Sequence, residues 1–103
     1  MNQQQQMMQQ VKRMQAEMAR AQEELAGTVV TGTAAGGLVT IEMSCEFVTK
    51  SVKIAKDAVD PEELETLEDL VLVALNDVVA KVQETSSKRM GSVTGGLKIP
   101  GLM

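Results

Sequence analysis

The chain has 103 residues, a net charge of −4, 44% hydrophobic residues, one aromatic residue (Phe47), one cysteine (Cys45) and no histidine. One domain fits that length, and no run approaches the roughly 20 apolar residues that span a bilayer. With one Cys and no His, a single subunit lacks the ligands of a typical zinc site and the Ser–His or Cys–His pairs of nucleophilic catalysis. The carboxylates fall on a helix start and an exposed face rather than as a catalytic pair, so no cofactor, metal or enzymatic activity is expected.

Residues 1–26 predict a first helix. Gln, Met, Ala and Glu favour helix, and Met7, Val11, Met14, Met18, Ala21 and Leu25 recur as a short a/d seam. That seam is too short for a freestanding coiled coil, so the helix is expected to lean on another element, with its methionines as core residues. The start NQQQQMMQQ lacks the apolar stretch of a signal peptide, and a cytoplasmic location is the expectation.

The period changes over residues 27–56. Thr28–Thr33, Leu38–Ser44 and Phe47–Ala55 are rich in Val, Thr and Ile and read as three strands. Gly32, Gly36 and Gly37 are assigned to the first turn. Residues 44–47 make the second, although Ser-Cys-Glu-Phe is a weak turn sequence. No Gly-Lys-Ser/Thr follows the glycines, which excludes a phosphate-cradling P-loop. In the third strand Val48, Val52 and Ile54 share a parity with Lys50 and Lys56, as expected of a strand that overruns the core or lies at an edge. Cys45 is expected as a half-buried strand residue.

Residues 60–90 predict a long helix. Asp60 is placed to cap it, Pro61 to take the first helical position and Glu63 to complete a capping box. Leu64, Leu67, Val71, Ala74, Leu75, Val78 and Val82 form an apolar stripe suited to packing on a sheet. Leu70, Leu72 and Val79 fall off that stripe and Val73 lies nearly opposite it, so the helix is apolar all round between Leu70 and Leu75. Burying a second face is worth roughly 1.5–3 kcal/mol per large side chain, and so small a chain has little left to cover it. The open edges of a three-stranded sheet point the same way. The expectation is a homodimer with Leu70, Leu72, Val73 and Val79 at its interface. The fold class is α+β: helix, three-stranded antiparallel meander, long helix, as one domain over residues 1–103 with a flexible tail at 91–103.

Charge is distributed unevenly. Residues 1–16 carry Lys12 and Arg13 and no acid, and residues 85–103 carry Lys88, Arg89 and Lys98 and no acid. All 14 acids lie between residues 17 and 84. In a helix–sheet–helix order the two basic ends are free to gather on one side of an acidic body, an arrangement suited to gripping a phosphate backbone. The same cations also suit a helix C-terminus and i,i+4 pairing on their own helices. With one aromatic, base stacking has little to work with, so duplex backbone contact with limited sequence preference is favoured over single-strand or RNA recognition. Lys12, Arg13, Arg20, Lys81, Lys88 and Arg89 are the candidate phosphate contacts, with Lys98 in the tail as a weaker one.

The local text resembles the YbaB/EbfC family of bacterial nucleoid-associated proteins. The Gln/Met-rich first helix, TVVTGTAAGGLVTIEMS, KSVKI, the Asp60-Pro61 pair, LEDLVLVALNDVVAKVQE at 67–84 and RMGSVTGGLKIPGL at 89–102 carry the likeness over almost the whole chain. The LEDL…ALND segment followed by the GGL-x-IPGL tail is the specific part. The resemblance implies a tweezer-shaped homodimer that binds DNA through protruding helices with low sequence specificity and acts in nucleoid organisation or expression control. Where the family often has an Asn-Gly turn, this chain has Ser44-Cys45. The alternative is a chaperone-like or structural protein-interaction module with a prefoldin-like layout, its clients held by apolar helix tips such as Met7, Met8 and Met14. Prefoldin-type helices, however, run much longer than the 26 residues available to the first helix here.

Overall fold

The computed structural model describes residues 2–93. Asn2 opens the first helix, α1 (Gln3–Gly27), by accepting the backbone N–H of Gln5 at 2.9 Å. Thr28 ends it, donating its N–H to the Leu25 carbonyl and its hydroxyl to that of Glu24. Three strands follow, β1 (Val29–Ala34), β2 (Val39–Ser44) and β3 (Thr49–Ile54), then a 3-10 turn at Lys56–Ala58 and a second helix, α2 (Leu64–Val93). The strands form one antiparallel sheet in the order β1-β2-β3. This is the α+β meander expected from the sequence.

Each turn has a physical cause, and two of the causes differ from expectation. Ala35, Gly36 and Gly37 all take positive φ between β1 and β2, which the two glycines adopt without steric cost. Gly32 is not part of that turn. It lies inside β1 opposite Ile41, where α2 passes so close that a Cβ would stand 2.5 Å from both the Val78 Cβ and its backbone nitrogen. Between β2 and β3 the Ser44 hydroxyl accepts the N–H groups of Glu46 and Val48, the Ser44 carbonyl accepts the N–H of Phe47, and Phe47 sits at φ 64°. Ser44 therefore supplies what the weak turn text lacks. Cys45 is buried rather than half-buried, and its N–H bonds the Thr28 carbonyl.

A bulge corrects the parity expected of the third strand. Glu42 pairs with Ser51 but Met43 pairs with Thr49, so Lys50 is the extra residue. Val52 and Ile54, opposite Ile41 and Val39, face the helix side of the sheet, and the bulge removes Lys50 and Val48 from their series.

The start of α2 also moves. Asp60 accepts the Glu62 N–H on its side chain and the Glu63 N–H on its carbonyl, closing a turn over residues 60–63. The helix begins at Leu64, three residues beyond Pro61, because Asp60 spends its capping capacity on that turn. At its far end α2 runs to Val93, so residues 91–93 are helical rather than part of a tail. The rest of the expected tail, 94–103, lies outside the described residues.

The core sits where α2 crosses β1 and β2. Ala74, Val78 and Val82 are fully buried against Val39, Ile41, Met43 and Ala34, and Leu25 of α1 closes one end. Leu64 and Leu75, expected on the core stripe, are exposed: α2 covers β1 and β2 and leaves that flank open beside β3. Only Ala21 and Leu25 of the α1 seam are buried; Met7, Val11 and Met18 are exposed and Met14 is half-buried, which corrects the expectation of core methionines. The molecule is elongated, 73 × 27 × 16 Å.

Candidate nucleic-acid interface

α1 runs toward the sheet and α2 runs away from it, so the start of α1 and the end of α2 project to the same side. Their relative position is fixed by the Arg89 guanidinium, which donates to Glu24 at 2.7 Å and to the Ser92 hydroxyl at 2.9 Å. Glu17, Arg20, Arg89 and Ser92 line one small cleft between the helices. The last described turn of α2 is thus level with Glu17 and Arg20, and the first four turns of α1 extend about 20 Å farther. Lys12 and Arg13 stand on that extension, both exposed, about 10–12 Å along the helix from Arg20.

The seven cations expected at phosphate fall into three groups. Among the described residues Lys12 and Arg13 form no salt bridge, whereas the charge of Arg20 acts on Glu24, one turn along α1, and, after Arg89, helps to lower its pKa. Lys88 pairs with Glu84 at 3.0 Å, fully on the surface, and Arg89 pairs with Glu24. The hydrogen bond from Arg89, and then its charge, lower the Glu24 pKa below the usual carboxylate range, and the same bond raises that of Arg89. Lys81 is placed elsewhere. Its ammonium donates to the Thr31 carbonyl at 2.9 Å and to Asp77 at 3.1 Å, while Asp77 accepts the Thr33 N–H at 2.9 Å. The Thr33 N–H first, and Lys81 second, hold the Asp77 pKa below its usual value. Lys98 lies outside the described residues. The Glu24–Arg89 brace and the Asp77–Lys81 clamp on β1 each join residues far apart in the chain and leave no mark in the sequence, apart from the i,i+4 spacing of Asp77 and Lys81.

The proposed subunit contacts also separate. Leu72 and Val73 are 57% and 53% exposed. Leu70 and Val79 are half-buried against the chain's own core. Leu72 borders a shallow apolar groove with Ile54, Leu67, Val71 and Leu75.

The family model for the YbaB/EbfC DNA-binding family matches residues 1–97. The chain belongs to that family. Among YbaB/EbfC relatives, a nucleoid-associated protein of Chloroflexus aurantiacus is 46% identical over 95 residues, 92% of this chain and 95% of that one. One from Syntrophobacter fumaroxidans is 47% identical over 92% of this chain and 86% of its own. The fold recurs in the crystal structure of an uncharacterized protein from Helicobacter pylori, with a TM-score of 0.65 and 22% identity over 76% of this chain and 82% of that chain. Among the described residues no group of His, Cys, Asp and Glu is placed to hold a metal ion, and no helix is long and apolar enough to cross a membrane.

Proposed function

We propose that this YbaB/EbfC chain is a homodimeric nucleoid-associated protein of the cytoplasm that grips duplex DNA by its backbone with little sequence preference. One observation carries the reading: Lys12 and Arg13, exposed and without salt bridges among the described residues, stand with Arg20 on a helix that extends past an acidic body. Cations in this state neutralise phosphates without first giving up a protein carboxylate. Lys88 and Arg89 flank the base of the arm as exchangeable contacts, and Lys98, outside the described residues, is a further candidate contact. Lys81, bound to the β1 edge, is the weakest member of the set. The test is a salt-titrated binding series on several unrelated duplexes. Affinity should fall steeply with salt and similarly for every sequence, and absence of binding at low salt would refute the proposal.

The homodimer rests on the open flank of α2. Leu72 and Leu75 share a groove with Ile54 of β3, Val52 lies on the same sheet face as Ile54, and all four are exposed in the single chain. A second copy that covers this flank would also reach the exposed part of Val79, whereas Val73 and Leu70 lie about 100° and 160° around the helix from Leu72 and need a wider interface. Light scattering should give twice 11.1 kDa for the wild type, and Leu72→Glu should shift it toward the single-chain mass. A single-chain mass for the wild type at micromolar concentration would refute the dimer. The exposed Met7, Met8 and Val11 favour a second reading, capture of unfolded clients by the arm. Suppression of client aggregation without DNA, lost on changing these residues to Gln, is its signature.

A further inference from the structure

The other cations without ion-pair partners among the described residues are Lys50, Lys53 and Lys56, all exposed and all on or beside β3. Lys53 is paired with Thr40 and so stands on the sheet face turned away from α2. Lys50 is the extra residue of the bulge, and Lys56 opens the 3-10 turn. At the rise of a strand Lys50 and Lys53 are about 10 Å apart, and Lys56 follows two residues past the end of β3. A duplex presents one charge per about 1.7 Å of axis, counting both strands, so the stretch from Lys50 to Lys53 spans about six phosphates. The face around Lys53 is rich in hydroxyls, with Thr31, Thr33, Thr40 and Ser51 placed there by register. Its carboxylate, Glu42, accepts the Ser51 hydroxyl at 3.1 Å. Glu46 and Asp57 flank the row at its two ends, and most other acids of the body lie on the first turns of α2 or the turn before it. The two sheet edges differ as well: β1 is closed by Asp77 and Lys81, whereas β3 carries the lysines.

We propose that Lys50, Lys53 and Lys56 form a second phosphate-contacting row, so that bound duplex is held by the sheet edge as well as by the α1 arm. The proposal rests on duplex binding by this chain. Its competitor is structural: lysines on an edge strand also deter pairing with other chains.

The two readings separate in a salt titration of the full-length triple variant K50Q/K53Q/K56Q beside K12Q/R13Q/R20Q. Each phosphate contact contributes about 0.9 to the slope of log K against log salt. The β3 variant should lose roughly 2–3 from that slope for each subunit in contact with the duplex, at unchanged oligomeric mass. An unchanged slope for the β3 variant, with a reduced slope for the α1 variant, overturns the row and leaves the arm in place. If the wild type fails to bind, the functional proposal itself falls. Should the β3 variant aggregate, acetylation of wild-type lysines with and without duplex, read by mass spectrometry, decides the matter. Protection of Lys50, Lys53 and Lys56 supports the row, and unprotected lysines there beside a protected Lys12 overturn it.

Discussion

Gly32 and Phe47 show what single residues contribute here. At Gly32 the missing side chain lets β1 and α2 approach to contact distance, and that approach lets Ala74 and Val78 bury completely. Gly32→Ala would push a methyl group into the Val78 backbone and the Ala74 carbonyl. It should cost about 1–3 kcal/mol or more in chemical denaturation. Phe47 poses the opposite case. A bulky residue at φ 64° carries steric strain of about 1–2 kcal/mol, and its ring is largely exposed, so little burial offsets it. Phe47→Gly relieves that strain at an entropic cost of about 0.5–1 kcal/mol, so a net gain of up to about 1.5 kcal/mol is expected. A loss of stability together with a fall in oligomeric mass would instead place Phe47 at a subunit contact.

At the scale of elements, the Asp77–Lys81 clamp explains how an edge strand survives beside a helix. The Thr33 N–H and Thr31 carbonyl face away from β2 and would otherwise offer a template for another strand. Because the folded-state pKa of Asp77 lies below the unfolded one, its contribution to stability is complete at neutral pH. That contribution fades as pH falls through the ordinary carboxylate range and is gone below the lowered pKa. Asp77→Asn should therefore melt below wild type at pH 7, and the gap should close in acid. A constant gap across the titration would show that the carboxylate charge is not what matters. The elements were legible in the sequence because period and composition change sharply between helix and strand, and strand ends fall within two residues of the structure. What was not legible depends on partners distant in the chain. Gly32 looks like a turn glycine until α2 is laid over it. Lys50 keeps the parity of Val52 until the bulge breaks it. Lys81 looks like a free cation until the Thr31 carbonyl is beside it.

At the scale of the whole molecule, among the described residues one salt bridge connects the arm to the body. Arg89 is held by Glu24, so a phosphate that recruits Arg89 must displace a carboxylate that stays nearby and repels it. Glu24→Gln removes both obstacles. Tighter duplex binding is expected, with a salt slope steeper by up to about 1, the share of one added phosphate contact. Arg89→Gln should weaken binding less in the wild-type background than in the Glu24→Gln background, where it should cancel the gain, so a double-mutant cycle isolates the coupling. The brace also sets the direction of the arm, and this pulls the other way. Weaker binding by Glu24→Gln, with wild-type affinity regained in the charge-swapped Glu24→Arg, Arg89→Glu pair, would mean that arm position outweighs the freed cation. Gain in the single variant and its loss with Arg89→Gln would mean that the wild type holds one phosphate contact in reserve at the base of its arm.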